Sequence, residues 1–343
     1  MKRILVLGGG LIGIRHIEAV QANPRCDLVG LADPDPSIPT DVTRFRTMAD
    51  VNTHVDGVII ATPTHLHTLH GAQAAARGWH ILVEKPVAGT LKDARSLELK
   101  LRDSSVGSLV GHHRRYHARV QQLRELLLNG EIGQTVNVSL LWAMRKPESY
   151  FHDNWRTTDG SPVMINLVHD IDLLRFCIGE ITDSTALRGA STREGNRIES
   201  GAIALSFENG ATGCISFADS SPSPWGFEAG TGENPNIGTT RQDMMWITGT
   251  KGAVSFPSMT CWSGTDWGKP ARRTSLAVLQ NTKPPLDAQL DHFIDVMDGA
   301  KPLIDVADAT RTLAVAEKIQ RQLSLQTAPT ARQPKHESIN RAH

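Results

Sequence analysis

The stretch MKRILVLGGGLIGIRHIEAV, residues 1–20, runs from a short apolar strand through clustered glycines into a helix. Gly8, Gly10 and Gly13 give the spacing GxGxxG at that junction. In such a motif the first glycine, Gly8, permits a tight turn, Gly10 lets the backbone approach a pyrophosphate, and Gly13 allows close helix–strand packing. The helix opening at Leu11 and Ile12 turns its first N–H groups toward the phosphate charge. A second strand ends at Asp33, about 20 residues on, where a carboxylate accepts hydrogen bonds from ribose hydroxyls. It would repel a 2′-phosphate, and Pro34 supplies no compensating cation, so NAD is expected rather than NADP.

Working outward, residues 3 to 117 alternate apolar runs with helical patterns, as βα units feeding a parallel sheet do. The strands read as Ile4–Leu7, Leu28–Ala32, Gly57–Ala61, His80–Val83 and Ser108–Gly111, with helices near 11–22, 66–77 and 91–103. Asp33–Val51, rich in Pro and Asp, reads as a loop or a reduced helix. A doubly wound Rossmann domain over 1–117 is expected.

Beyond His117 the pattern changes. Ala118–Asn129 sets Val120, Leu123 and Leu127 on one helical face and stops at Gly130. Strands follow at Thr135–Met144, Ile198–Phe207, Ala211–Phe217 and Arg241–Thr248, with Asn209-Gly210 as a hairpin turn. Helices are expected from about Pro162 to Cys177 and near 287–299 and 306–324. This outlines a second, α+β domain over 118–326, followed by a polar tail, 327–343, without apolar period and expected to be disordered.

Lys+Arg and Asp+Glu both number 36, and no dense basic run occurs, so a nucleic-acid partner is not expected. The four cysteines, Cys26, Cys177, Cys214 and Cys261, form no CxxC pair; neither a zinc site nor a disulfide framework is indicated, and a reducing cytoplasm fits. The basic start and apolar run imitate a secretory signal, but glycines interrupt the run and Arg15 and His16 follow at once. No stretch reaches the roughly 18 apolar residues of a membrane span.

Ala61-Thr62-Pro63-Thr64-His65 and Glu84-Lys85-Pro86 both stand at strand carboxyl ends, where ligands of open α/β sheets sit. Thr62, Pro63, His67, Glu84 and Lys85 are therefore expected on the cofactor side of the cleft. His65, His67 and His70 lack a carboxylate at ligand spacing, so no metal is expected.

GxGxxG at 8–13, Ala-Asp-Pro at 32–34, Ala-Thr-Pro-x-x-x-His at 61–67, Glu-Lys-Pro at 84–86, Gly-His-His-Arg-Arg-Tyr at 111–116 and His-Asp-Ile-Asp-Leu-Leu-Arg at 169–175 together resemble the Gfo/Idh/MocA family. The resemblance implies a second domain with a large, mainly antiparallel open sheet. It also implies oxidation of a secondary hydroxyl of a sugar, polyol, sugar acid or cyclic diol, and a homodimer or homotetramer formed through that sheet. Lys85 would hold the reacting hydroxyl and His169 would take its proton, a role suited to an imidazole. Many relatives have an aspartate four residues before this histidine; here Ile165 stands there, with Asn166 adjacent. An amide can position but not act as a base.

Further substrate-binding candidates are His113 and Arg114, which with His112 and Arg115 could grip a carboxylate. Tyr150, Trp155 and Arg156 precede the His169 helix, and Trp225 could stack on a sugar face. The same resemblance leaves two other outcomes open. One is an NAD-dependent glycoside hydrolase, the other a non-catalytic NAD-binding regulator.

Overall fold

The computed structural model describes residues 1–38, 41–147, 161–193, 197–264, 266–277 and 282–327. The first sheet is built from β1 (Lys2–Leu7), β2 (Cys26–Ala32), β3 (Arg44–Phe45), β4 (Gly57–Ile60), β5 (His80–Val83) and β6 (Ser108–Val110). Its order is β3-β2-β1-β4-β5-β6, and every pairing is parallel. The order in which strands are added reverses between β1 and β4, which opens a crevice at the strand carboxyl ends. The apolar runs ILVL, GVII and ILV are wholly buried because helices cover both faces. Helices α1 (Leu11–Ala22), α2 (His67–Ala76) and α3 (Leu91–Arg102) stand where the periodicity places them. The Asp33–Val51 segment supplies the short β3 and one 3-10 turn, Met48–Asp50, fastened by a Thr47/Asp50 capping box.

In the second unit, α4 (Ala118–Leu128) turns Val120, Leu123 and Leu126 inward. Leu126 takes the buried place expected for Leu127, which sits at the margin of the same core. Gly130 ends the helix at φ 68°, a left-handed position that suits glycine. There follow β7 (Thr135–Ala143), α5 (Val168–Cys177), β8 (Ile181–Arg188), β9 (Ser200–Phe207), β10 (Thr212–Ala218), a short α6 (Phe227–Thr231), β11 (Met245–Gly249), β12 (Gly252–Phe256), β13 (Thr260–Ser263) and β14 (Arg272–Ser275). They form a sheet of order β14-β13-β12-β11-β7-β10-β9-β8. All neighbours are antiparallel except β10 with β7. One face carries Leu140, Trp142, Ile203, Leu205, Ile215 and Phe217 into the core.

Four of these strands do not stand out in the sequence, and each for a physical reason. β14 is exposed at all four positions, so it carries no alternation. β12 and β13 are short and interrupted by turns. β8 places polar Ser184 and Arg188 at inward positions, which blurs its alternation, and its outer edge is sealed by amide side chains of the last helix, α8 (Val306–Ser324), and the residues after it. Gln322 accepts from the N–H of Ala186 and donates to Ser184 O, both at 2.9 Å, and Gln326 repeats this on Arg188 N–H and Ala186 O. Two glutamines one turn apart thus act as a substitute strand and close an edge open to pairing.

The division at residue 117 also needs correction. The remaining helix, α7 (Pro285–Met297), and the first half of α8 return to the first core: Leu286, Leu290, Phe293, Ile304 and Leu313 pack with the strands of the parallel sheet. A side chain at Gly57 would lie 2.7 Å from Met297 Sδ, so glycine there admits the helix. The strand-rich unit is an insertion between β6 and α7. The tail beyond 327 lies outside the described residues.

Candidate functional site

Gly8 has φ 97°, and a Cβ there would stand 2.6 Å from Ala61 O; a Cβ on Gly13 would stand 2.0 Å from Gly8 O. Both close approaches exclude any other residue. Gly10 differs: a Cβ would meet nothing within 4 Å among the described residues, so they leave open space there. Gly10 is the N-cap of α1 and supplies no side-chain acceptor to the first-turn N–H groups, no acidic residue stands in that turn, and Leu11 is 87% exposed beside it. Ile12 packs against the core. Asp33 is aimed at the same mouth, its Oδ2 accepting from Gly9 N–H at 2.7 Å and its Oδ1 from Asp35 N–H at 2.8 Å.

At the ends of β4 and β5 the two loops are joined by His67. Its Nδ1 lies 2.8 Å from Pro86 O and its Nε2 2.8 Å from Thr62 O. Both partners are acceptors, and burial keeps the ring's pKa below the ordinary value, so a neutral ring donates to one of them at a time. Thr62 Oγ1 also meets His70 Nδ1 at 3.0 Å, whereas Pro63 and His65 are exposed. Among the described residues no group of three His, Cys, Asp or Glu side chains is disposed to hold a metal.

Glu84 is buried and is tied to His16 of α1, Nε2 to Oε1 at 2.9 Å. Although burial opposes ionisation, the His16 hydrogen bond and the charges of His113 and Lys85 hold this carboxyl down at about 2. The Glu-Lys-Pro motif points to Glu84, but nothing local points to His16, which lies 68 residues away in the chain.

Lys85 extends from the same loop into the second unit, donating from Nζ to Ile165 O at 3.1 Å. That carbonyl belongs to a π-helical turn, Val163–Leu167, which leads directly into α5. Such a wide turn interrupts the regular i→i+4 ladder, a feature that recurs at functional sites. On the adjacent residue, Asn166 Oδ1 accepts from Lys146 Nζ at 2.6 Å. Lys146 is buried and has no signal in the sequence, since it follows a strand as an isolated lysine.

One turn on stands His169, 6% exposed, with a buried Nδ1 that has no hydrogen-bond partner among the described residues. Its ring meets His113 edge-to-face at 5.3 Å and His112 at 5.9 Å. Burial first, then the charges of Lys85 and Arg114, push its pKa well below 6.5, so the imidazole is neutral. His112 Nδ1 stands 3.6 Å from Asp172, and burial lowers the His112 pKa to about 4.

The expected arginine grip on a substrate carboxylate is overturned. Arg114 is 2% exposed and bonds Asp170 at 2.8 Å and Glu228 at 2.6 Å, with its guanidinium 4.4 Å over the Phe227 ring. Arg115 is bidentate to Asp172, at 2.9 and 2.7 Å, and reaches Asp308 at 2.7 Å. Both lock the site's frame and leave no fork for a ligand. His113 instead faces Glu233, Nε2 to Oε1 at 3.4 Å, and that carboxylate also stands 3.6 Å from Arg15. The segment singled out for Trp225 thus contributes through Glu228 and Glu233, while Trp225 itself is 38% exposed and anchors the loop by its carbonyl to Ala143 N–H. Tyr150, Trp155 and Arg156 lie outside the described residues.

The cradle and the two units have counterparts. Residues 2–112 match the model described as "Oxidoreductase family, NAD-binding Rossmann fold", and 120–255 match the Gfo/Idh/MocA C-terminal domain. The chain belongs to the Gfo/Idh/MocA family. Among its relatives, the oxidoreductase YrbE of Bacillus subtilis is 27% identical over 61% of this chain and 65% of that protein. The scyllo-inositol 2-dehydrogenase (NAD(+)) of the same organism is 25% identical over 91% of each. In fold, this Gfo/Idh/MocA chain is like the WlbA dehydrogenase of Bordetella pertussis, solved with NADH and UDP-GlcNAcA: TM-score 0.75, 22% identity, 94% of this chain and 96% of that one. As a family member it is an oxidoreductase that uses NAD. The residues present fit that cofactor, since the Gly10 opening, the uncapped start of α1 and the Asp33 carboxylate stand together at the sheet's switch point.

Proposed function

We propose that this Gfo/Idh/MocA member is a dehydrogenase that oxidises a secondary hydroxyl of a polyol or sugar, including sugar acids and cyclic diols, with Lys85 and His169 as its catalytic residues. The observation that carries this reading is the buried Nδ1 of a neutral His169, without a partner among the described residues and in the field of the Lys85 ammonium. The scyllo-inositol relative supports a polyol or sugar as the substrate class.

NAD, when bound, would supply the hydride acceptor for oxidation of the carbinol carbon. The Gly8–Gly13 loop and Asp33 would hold its pyrophosphate and ribose, with Thr62, Pro63, His67 and Glu84 on the same side of the cleft. His169 takes the hydroxyl proton, which a neutral imidazole can do and an imidazolium cannot. Lys85 transfers its hydrogen bond from Ile165 O to the substrate oxygen and stabilises the alkoxide. His113, Asn166 and Trp225 surround the remaining hydroxyls.

Incubation with NAD and a panel of polyols, sugars, sugar acids and cyclic dihydrodiols tests the reading. NADH accumulating in step with a keto product is the expected result. Cleavage of a glycoside with no net NADH would replace it by the hydrolase alternative.

The working form in this reading is a cytoplasmic homodimer or homotetramer built through the open face of the eight-stranded sheet. That face presents Leu187 at 65% and Trp246 at 39% exposure among small residues such as Ala202, Ala204 and Cys214. No helix among the described residues is long and apolar enough to cross a membrane.

A further inference from the structure

A cavity of about 420 Å³ lies between the C-terminal end of α5, α4 and the α7–α8 connection, and none of its lining residues belongs to the dinucleotide cradle. Its cations are Arg115, Arg124, Arg175, Lys301 and Arg311; its carboxylates are Glu180 and Asp308. Arg115 and Arg175 form the floor, their side chains 4% and 1% exposed, and are already committed. Arg115 bonds Asp172 and Asp308, and Arg175 bonds Glu180 and Asp308. Arg311 reaches Glu180 and Asp308 from the rim.

Two of these cations have no carboxylate partner among the described residues. Arg124 donates from Nε to Phe176 O at 3.0 Å and lays its guanidinium 4.5 Å over the Phe176 ring; among the described residues it meets no carboxylate. Lys301, also on the cavity wall, likewise pairs with none of them. Counting Asp172 behind Arg115, five cations face three carboxylates among the described residues, which leaves the charge that one dianion neutralises. The fixed guanidinium of Arg124 presents its remaining N–H donors to oxygen acceptors, and the lysine adds a mobile point charge.

We propose that this cavity is a binding site for a phosphoryl dianion, separate from the dinucleotide cradle, with Arg124 and Lys301 as its ligating residues. Free phosphate and a phosphomonoester share the recognised chemistry. The volume admits either.

The test uses the full chain with NADH at saturation, so that the dinucleotide cradle is filled. Inorganic phosphate and glycerol 3-phosphate are each titrated by calorimetry and thermal melting, against sodium chloride at matched ionic strength. Saturable binding and a rise in melting temperature beyond the chloride control are expected. Arg124→Ala combined with Lys301→Ala should weaken that binding at least about tenfold, while NADH affinity stays unchanged and reports an intact fold. Arg124→Gln alone should give a smaller loss. Tighter glycerol 3-phosphate would assign the site to phosphomonoesters, and equal affinities to free phosphate. No response beyond chloride, or an equal response in the double variant, overturns the proposal. Neither outcome bears on the Lys85 and His169 reading, which NADH formation tests separately.

Discussion

Oε1 of Glu84 accepts a hydrogen bond from Nε2 of His16 at 2.9 Å, where the two side chains are 6% and 1% exposed. The bond ties the first helix of the nucleotide fold to the loop that carries Lys85. His16→Ala leaves a buried carboxylate without its partner and should cost roughly 3 kcal/mol or more, read from denaturant unfolding. The pair also makes stability pH-dependent. A carboxyl held at about 2 against the ordinary 4.5 adds stability above the ordinary value, and the gain disappears as pH falls from there toward 2. The gain is on the order of 3 kcal/mol. The stability gap between the wild type and Glu84→Gln should therefore narrow on acidification; a gap independent of pH counts against the assignment.

Gly10 and Gly13 should separate binding from folding. A Cβ at Gly10 meets nothing within 4 Å among the described residues, and its φ of −68° suits alanine. Gly10→Ala should keep stability within about 0.5 kcal/mol yet raise the Kd for NADH about tenfold or more. Gly13→Ala drives a Cβ to 2.0 Å from Gly8 O and should lower the melting temperature itself. Asp33→Ala should narrow the preference for NAD over NADP, since the carboxylate that repels a 2′-phosphate is gone.

His169→Ala should lower kcat by about 10²–10⁴ with NADH affinity nearly unchanged. Asn166→Ala should be milder, because an amide positions and does not take a proton. Burial and the nearby Lys85 hold His169 well below 6.5, so the free base persists as pH falls through that value. The acid limb of kcat/KM should accordingly lie below the usual histidine range. A limb centred near 6.5, or activity that survives His169→Ala but not Asn166→Ala, would mean another base.

The open sheet face offers a test of assembly. Leu187 and Trp246 point away from the core on β8 and β11. Leu187→Glu with Trp246→Glu places charge on that face and should reduce the mass measured by light scattering to that of one chain, with the melting profile of the monomer retained. A wild type of monomeric mass at micromolar concentration would remove the proposed interface.

Residues close in sequence announced themselves. The strand, glycines and helix at 1–20, the acidic stop at Asp33, and the Glu84-Lys85-Pro86 and His169 motifs were legible because local backbone conformation and short spacings encode them. With them came the doubly wound sheet, the NAD cradle and the expectation that Lys85 and His169 share a cleft. The edge strands were not legible. β14 has no apolar alternation to detect, and β8 puts polar Ser184 and Arg188 at its inward positions, so neither carries the apolar period of a strand.

What the sequence by itself determined is therefore the fold class and the chemistry offered at strand ends, since periodicity and glycine spacing act over one or two turns. Tertiary structure alone decided how the charges are paired. Arg114 and Arg115, which resembled a ligand clamp, are neutralised by Asp170 and Asp172, partners 56 and 57 residues away. Arg124 and Lys301, unremarkable in the chain, meet no carboxylate among the described residues. A buried ion is stable only beside its counter-charge, and which charges meet depends on which faces pack, a property of the assembled core rather than of any stretch of sequence.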